Sequence, residues 1–132
     1  MIVDTSVWID FFAGRDTWQV LALVQQIEDE QPVGLTDVVH TEILQGIRHD
    51  SDLLAVERQL LAFDMLQVEG LDDFRRAAQL YRAARRKGLT VRRTTDCLIA
   101  SVCVRADRPL LHNDADFDHL TAVGPLRVVA RR

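Results

Sequence analysis

Five carboxylates stand in this chain where they could do chemistry together: Asp4, Glu42, Asp96, Asp114 and Asp116. Asp4 ends a short apolar run, Met1-Ile2-Val3, and precedes Thr5 and Ser6, either of which can cap a helix beginning at Val7. If Met1 to Val3 form a central strand, Asp4 stands at its carboxyl end, the edge where open α/β sheets bind ligands. Glu42 follows Val38 and Val39 by one helical turn, so it lies on or beside an apolar face, where an unpartnered glutamate is costly. Asp96 opens an apolar helical run and is its only acid before Asp107; Asp114 and Asp116 belong to the turn-like stretch His112-Asn113-Asp114-Ala115-Asp116-Phe117-Asp118.

Each acid also has an ordinary use. Asp4 can be a helix cap, Asp96 can favour a helix dipole, Glu42 can pair with an arginine, and the 114–118 acids can bond their own backbone. The set is what matters. Several carboxylates within a few ångströms repel, and a divalent cation stabilises them together; all-oxygen ligation suits Mg²⁺ or Mn²⁺ rather than zinc. Such a site lowers the pKa of a bound water, orients it and stabilises charge developing on a phosphate.

The elements that must position these acids follow from periodicity. Strands are expected at Met1–Val3, Pro32–Leu35, Met65–Val68, Pro109–His112 and Leu126–Ala130. Helices are expected at Val7–Phe12, then from a cap at Asp16 or Thr17 to Ile27 with Trp18, Leu21, Val24 and Ile27 inward. Further helices run from a cap at Asp37 to Ile47, over Leu53–Phe63, and from a cap at Asp72 to Lys87 with Phe74, Ala77, Ala78, Tyr81 and Ala84 inward. Gly88 should close that helix in the left-handed region. Cys97–Val104, apolar all round, is a buried helix, and a short helix ends near Ala122. Strands alternating with helices give a parallel sheet covered on both faces. Asp4 and Asp114/Asp116 then follow strands, while Glu42 and Asp96 ride on helices that can reach the same edge.

At 132 residues the chain reads as one domain over 1–132, able to bury roughly 68% of its unfolded surface. No apolar run approaches the ~18 residues of a membrane span, and the start lacks a basic-then-apolar signal pattern; a cytoplasmic protein is expected. Cys97 and Cys103 point apart on one helix, so they are expected as reduced core thiols, and no Cys/His spacing suggests zinc. A net charge of −4 argues against a general nucleic-acid binder, but its distribution does not. Half of the 16 basic residues lie between Arg75 and Arg93, including Arg85, Arg86, Lys87, Arg92 and Arg93. An acidic metal centre beside an arginine-rich rim able to hold a phosphate backbone points to a metal-dependent nuclease.

The blocks IVDTSVWIDFF, DVVHTEILQG, TTDCLIA and HNDADFD, in that order and spacing, resemble the four acidic blocks of PIN-domain ribonucleases, and more narrowly the VapC toxins of type II toxin–antitoxin systems. The likeness runs from Met1 to about Val129. It implies a PIN-like three-layer α/β/α sandwich with a central, mainly parallel sheet of four to five strands. It also implies Mg²⁺- or Mn²⁺-dependent endonucleolytic cleavage of RNA, neutralisation by a cognate VapB-like antitoxin, and a homodimer that forms a heterotetramer or larger complex with it. Carried over by position, Asp4 and Asp96 are the chief metal ligands. Glu42, Asp114 and Asp116 complete the pocket, one of them helping to position or deprotonate the attacking water. Ser6 is the small hydroxyl beside the first aspartate. The chain departs from many relatives at His112, where Thr or Ser is common.

Two other readings fit parts of the pattern. A receiver-like or phosphatase-like domain also gathers acids and Mg²⁺ at a sheet edge, but needs a lysine after a late strand and a DxD nucleophile; the sole lysine is Lys87, and Asp4-Thr5-Ser6 lacks the pattern. A non-catalytic PIN-like binding module is expected to have lost an acid, and here none is missing. Trp8 and Phe12 read as core or interface residues, and His40, His49 and His119 as packing or surface residues.

Overall fold

A computed structural model describes all residues from Met1 to Arg132. Its centre is a four-stranded parallel sheet of order β3-β2-β1-β4, formed by β1 (Ile2–Val3), β2 (Gly34–Thr36), β3 (Asp64–Leu66) and β4 (Leu110–Leu111). Seven helices complete the chain: α1 (Thr5–Phe12), α2 (Trp18–Glu28), α3 (Asp37–Gly46), α4 (Asp50–Leu60), α5 (Gly70–Arg86), α6 (Thr94–Ala106) and α7 (Ala115–Thr121). From β1 the chain moves outward through β2 to β3, then returns to place β4 on the other side of β1. The direction of winding therefore reverses between β1 and β4, and a crevice opens at their carboxyl ends. No helix is long and apolar enough to cross a membrane.

Ile2, Val3, Leu35, Leu110 and Leu111 are fully buried, as strands covered on both faces must be. Trp8 is buried among Phe11, Phe12 and Phe63, and its indole N–H donates to the Val3 carbonyl at 3.1 Å, which ties α1 to β1. Cys97 and Cys103 are free and buried in α6, where loss of solvent pushes their thiols up to about 11 and about 12.

Several boundaries differ from those the sequence suggests. α1 begins at Thr5 rather than Val7, because Asp4 itself is the cap and its carboxylate accepts the Ser6 amide. Asp37 is the first residue of α3, not its cap; the Thr36 hydroxyl accepts the Val39 amide instead. That leaves Asp37 to accept the Val68 amide, which ends β3 earlier than expected. β2 is displaced to Gly34–Thr36, and α4 starts at Asp50 and stops at Leu60, so the acids at 50 and 52 lie in its first turn rather than in a break.

Two helical faces are rotated from expectation. In α2 the buried residues are Gln19, Val20 and Leu23, while Leu21 is 58% exposed; Gln19 turns inward because its side-chain amide donates to the His112 carbonyl at 3.3 Å. In α5 the buried face is Asp73, Ala77, Leu80 and Ala84, and Phe74 and Tyr81 are half exposed. Asp72 is not the cap of α5; Glu69 precedes its first turn without a side-chain cap bond. Gly88 follows α5 at φ +72°, in the left-handed region as expected. The fifth strand reduces to a single parallel bridge between Leu110 and Val128.

Candidate active site

The crevice between β1 and β4 receives acids from four segments. Asp4 enters from the end of β1 with 4% of its surface exposed. One of its oxygens, Oδ2, accepts both the Ser6 amide at 3.0 Å and the Ser6 hydroxyl at 2.6 Å. The same hydroxyl accepts the Asn113 amide at 3.0 Å, so Ser6 joins the ends of β1 and β4. Burial raises the Asp4 pKa, and the Ser6 bonds oppose that rise. Glu42 comes from the second turn of α3. Its Oε1 accepts the Thr5 hydroxyl at 2.9 Å, and burial followed by the nearby Asp4 charge raises its pKa.

Asp96 is in the first turn of α6, 2% exposed, and its Oδ2 is buried with no hydrogen-bond partner. The Arg93 Nε lies 3.6 Å from that oxygen, close enough for charge attraction but too long for a hydrogen bond. Burial, together with the charges of Asp4, Asp114 and Glu42, pushes the Asp96 carboxyl up to about 7 against the opposing pull of Arg93. A buried carboxylate oxygen without a hydrogen bond is costly, and a cation bound there would offset that cost.

Asp114 and Asp116 face Asp96 from the start of α7. Asp114 caps that helix: Oδ1 accepts the Asp116 amide at 3.0 Å and the Arg92 guanidinium at 3.2 Å, while Oδ2 accepts Arg93 at 3.0 Å. Asp116 Oδ2 accepts both the backbone amide and the Nε of Arg92, at 3.1 and 3.0 Å. Those two bonds and the Arg92 charge hold its carboxyl below the usual range despite desolvation. Carboxylate oxygens of Asp96, Asp114 and Asp116 all lie within 4.8 Å of one another. The donor set is hard oxygen only, and the spacing allows one ion to be shared. Mg²⁺ or Mn²⁺ fits that chemistry.

A PIN-domain family model matches residues 1–123. Ribonuclease VapC11 of Mycobacterium tuberculosis and a VapC ribonuclease of Mycobacterium bovis are each 33% identical over 133 aligned positions, which span the whole of this chain and 99% of the relative. The chain belongs to the PIN-domain family, in its VapC branch. With that membership comes nuclease chemistry. Solved VapBC structures share the fold: the complex of VapBC2 from Rickettsia felis with a promoter DNA fragment aligns at TM-score 0.77 and 14% identity, over 97% of this chain and 96% of that one. VapBC-5 from Mycobacterium tuberculosis aligns at TM-score 0.66 and 24% identity, over 97% of each chain.

In this VapC-family chain the expected acids all border one crevice, but not at equal range. Asp96, Asp114 and Asp116 form the tight group; Asp4 and Glu42 flank it and act on Asp96 through their charge. The basic residues divide. Arg92 and Arg93 sit on the acids themselves, whereas Arg85 lies over the Tyr81 ring, Arg86 flanks Val123–Pro125, and the Lys87 ammonium donates to the Ala122 carbonyl. Four supporting residues escaped the sequence reading. Thr5 holds Glu42, and Asn113 donates to Asp10, which Arg15 also pairs at 2.7 Å. Thr5 and Asn113 each adjoin a predicted acid, which was the available signal; Asp10 and Arg15 carried none.

Proposed function

We propose that the chain is the toxin of a type II toxin–antitoxin pair, an endoribonuclease in which Asp96, Asp114 and Asp116 hold a divalent cation and Asp4 and Glu42 complete the pocket. The observation that carries this reading is the grouping of Asp96, Asp114 and Asp116, each with a carboxylate oxygen within 4.8 Å of the other two, and with Asp96 Oδ2 buried without a hydrogen bond. The cation, Mg²⁺ or Mn²⁺, supplies Lewis acidity toward water and the scissile phosphate. The protein's own part is positional and electrostatic.

Ser6 fixes the Asp4 carboxylate and, through Asn113, the loop that carries Asp114. Thr5 leaves Oε2 of Glu42 free, and its raised pKa suits it to accept the proton of the attacking water. The water oxygen bonds to phosphorus as its proton passes to Glu42, the bridging P–O bond breaks, and the departing ribose oxygen takes a proton from solvent to leave as a hydroxyl. Arg92 and Arg93 are more than half exposed at the rim, so their guanidiniums can meet RNA phosphates as well as the acids. Arg85, Arg86 and Lys87 would extend that contact along a longer strand. The single domain spans 1–132, works in the cytoplasm, and pairs as a homodimer with a VapB-like antitoxin. The VapBC complexes among its structural neighbours and its VapC relatives support that partnership.

Cleavage of total cellular RNA by the purified protein tests the reading, with Mg²⁺, with Mn²⁺ and with EDTA. Discrete fragments are expected with metal and none with EDTA or from Asp96→Asn. Equal cleavage by that variant would overturn the assignment. Co-expression with a cognate antitoxin should relieve growth arrest by the wild type.

A further inference from the structure

His112 stands between β4 and α7, and none of the roles given above uses its imidazole. The ring is mostly buried and packs against Phe117 with 5.2 Å between centroids. Its Nδ1 accepts the backbone amide of Asp114 at 3.2 Å, and its Nε2 lies 3.3 Å from Asp118 Oδ1. An amide can only donate, so Nδ1 must be the bare nitrogen and Nε2 must carry the proton that faces Asp118. The ring thus spans the start of α7, gripping the cap residue at one nitrogen and the first turn at the other.

The need for that grip follows from helix capping. Asp114 is the cap of α7, and its side chain accepts the Asp116 amide. In a reciprocal capping box, the side chain three residues after the cap reaches back to the cap residue's own amide. Here that position is Phe117, which has no acceptor. The Asp114 amide is satisfied from the other side, by His112. The backbone of Asp114 is thereby fixed, and with it the direction in which its carboxylate meets Asp96 and Asp116.

We infer that His112 is a positioning residue: its Nδ1 holds the Asp114 amide and so sets the metal affinity of the Asp96–Asp114–Asp116 group. The role rests on the cation site argued above. It assigns His112 no contact with the cation or with RNA.

Two substitutions separate the acceptor from the ring. Asparagine at 112 keeps an oxygen near the Nδ1 position, able to accept an amide two residues on, but loses the ring. Phenylalanine keeps the ring against Phe117 and loses the acceptor. Mn²⁺ binding to the full chain, measured by calorimetry beside thermal midpoints, then gives two orderings. His112→Asn is expected to bind Mn²⁺ within about twofold of wild type, with a lower midpoint. His112→Phe is expected to keep the midpoint and lose affinity by about tenfold to a hundredfold, the range for residues that orient metal ligands. His112→Gln, whose carbonyl reaches one carbon too far, should follow phenylalanine and serves if that variant does not fold. Affinity that follows the ring instead, or a Phe variant that binds as wild type, overturns the inference. Asp96→Asn monitors the site itself: if it binds Mn²⁺ as wild type does, the cation site lies elsewhere and both readings fall. Loss of binding in Asp96→Asn with retention in His112→Phe removes only the role of His112.

Discussion

Two aspartates are buried in this molecule in opposite states. Asp73, fully buried on α5, accepts the Glu69 amide at 2.8 Å, Arg76 at 2.8 Å and the Arg105 Nε at 3.0 Å, and its carboxyl is held below the ordinary range. Desolvation acts on it as well, but those bonds outweigh it. Asp96 is equally hidden, yet one of its oxygens has no partner and its carboxyl is pushed up to about 7. Both charges could have been matched by the same means, since arginines stand beside each. Matching was completed around Asp73 and left incomplete around Asp96. Satisfied burial marks a structural tie between α5 and α6; the unsatisfied burial at Asp96 is what the proposed cation would offset.

The sharpest way to break this comparison is to neutralise Asp96. Asp96→Asn should abolish metal-dependent cleavage while raising the unfolding free energy in EDTA by about 1–3 kcal/mol, because a repelled charge is removed. Urea unfolding with and without Mn²⁺ checks it: wild type should gain stability on adding metal and the variant should not. A variant less stable than wild type in EDTA would mean that Asp96 is a structural charge after all.

The mirror substitution should do the reverse. Asp73→Asn leaves Arg76 and Arg105 facing each other without their shared carboxylate, at a cost of about 3–5 kcal/mol. Cleavage per folded molecule should stay unchanged at temperatures where the fold survives. A loss below about 1 kcal/mol in urea unfolding would show that the two arginines find other partners.

The two states also predict opposite responses to pH. Folding raises the Asp96 pKa, so between about pH 4 and 7 the folded chain binds a proton that the unfolded chain has released. Its stabilising contribution is present below pH 4 and is lost as pH rises through about 7. Asp4 and Glu42, also raised, act in the same direction. Asp73 and Asp116 are lowered, and their contribution is lost only as pH falls below the ordinary carboxylate range. Metal-free protein should therefore lose about 2 kcal/mol between pH 5 and 8, and Asp96→Asn should flatten most of that slope. A wild-type profile parallel to the variant's would show that Asp96 is ionised throughout.

The same contrast explains what could be read from the sequence. The crevice was legible because strand-then-acid is a local pattern: Val3-Asp4 announces a sheet edge, and His112 to Asp118 announces another. That the sheet is parallel followed from strands alternating with helices; the order of its strands did not. The face of α5 was not legible, since Asp73 is turned inward by Arg76 and by Arg105, 32 residues away. Sequence periodicity assigns charge outward, and only a distant counter-charge reverses it. The fifth strand, expected over Leu126–Ala130, is present only as the bridge at Val128. The tight grouping of Asp96 with Asp114 and Asp116, rather than with Asp4, depends on where α7 begins, and no local pattern fixes that to an ångström.

The smallest expected effect separates the two sets of arginines. Arg93 touches Asp114 and stands near Asp96, while Arg85 lies in the last turn of α5 over the Tyr81 ring. In EDTA, where RNA is held but not cut, Arg93→Gln should lower the slope of log affinity against log salt by about one, as loss of one phosphate contact does. Arg85→Gln should change the slope less, because Arg85 pairs with none of the crevice acids and meets only a strand that runs on past them. Fluorescence anisotropy with a short and a long RNA distinguishes the cases: the short RNA should feel Arg93 alone. If the short RNA lost slope with Arg85 and kept it with Arg93, Arg93 would serve the carboxylates only. The rim that contacts RNA would then be α5, and the charge matching around Asp96 would be more complete than its bare oxygen indicates.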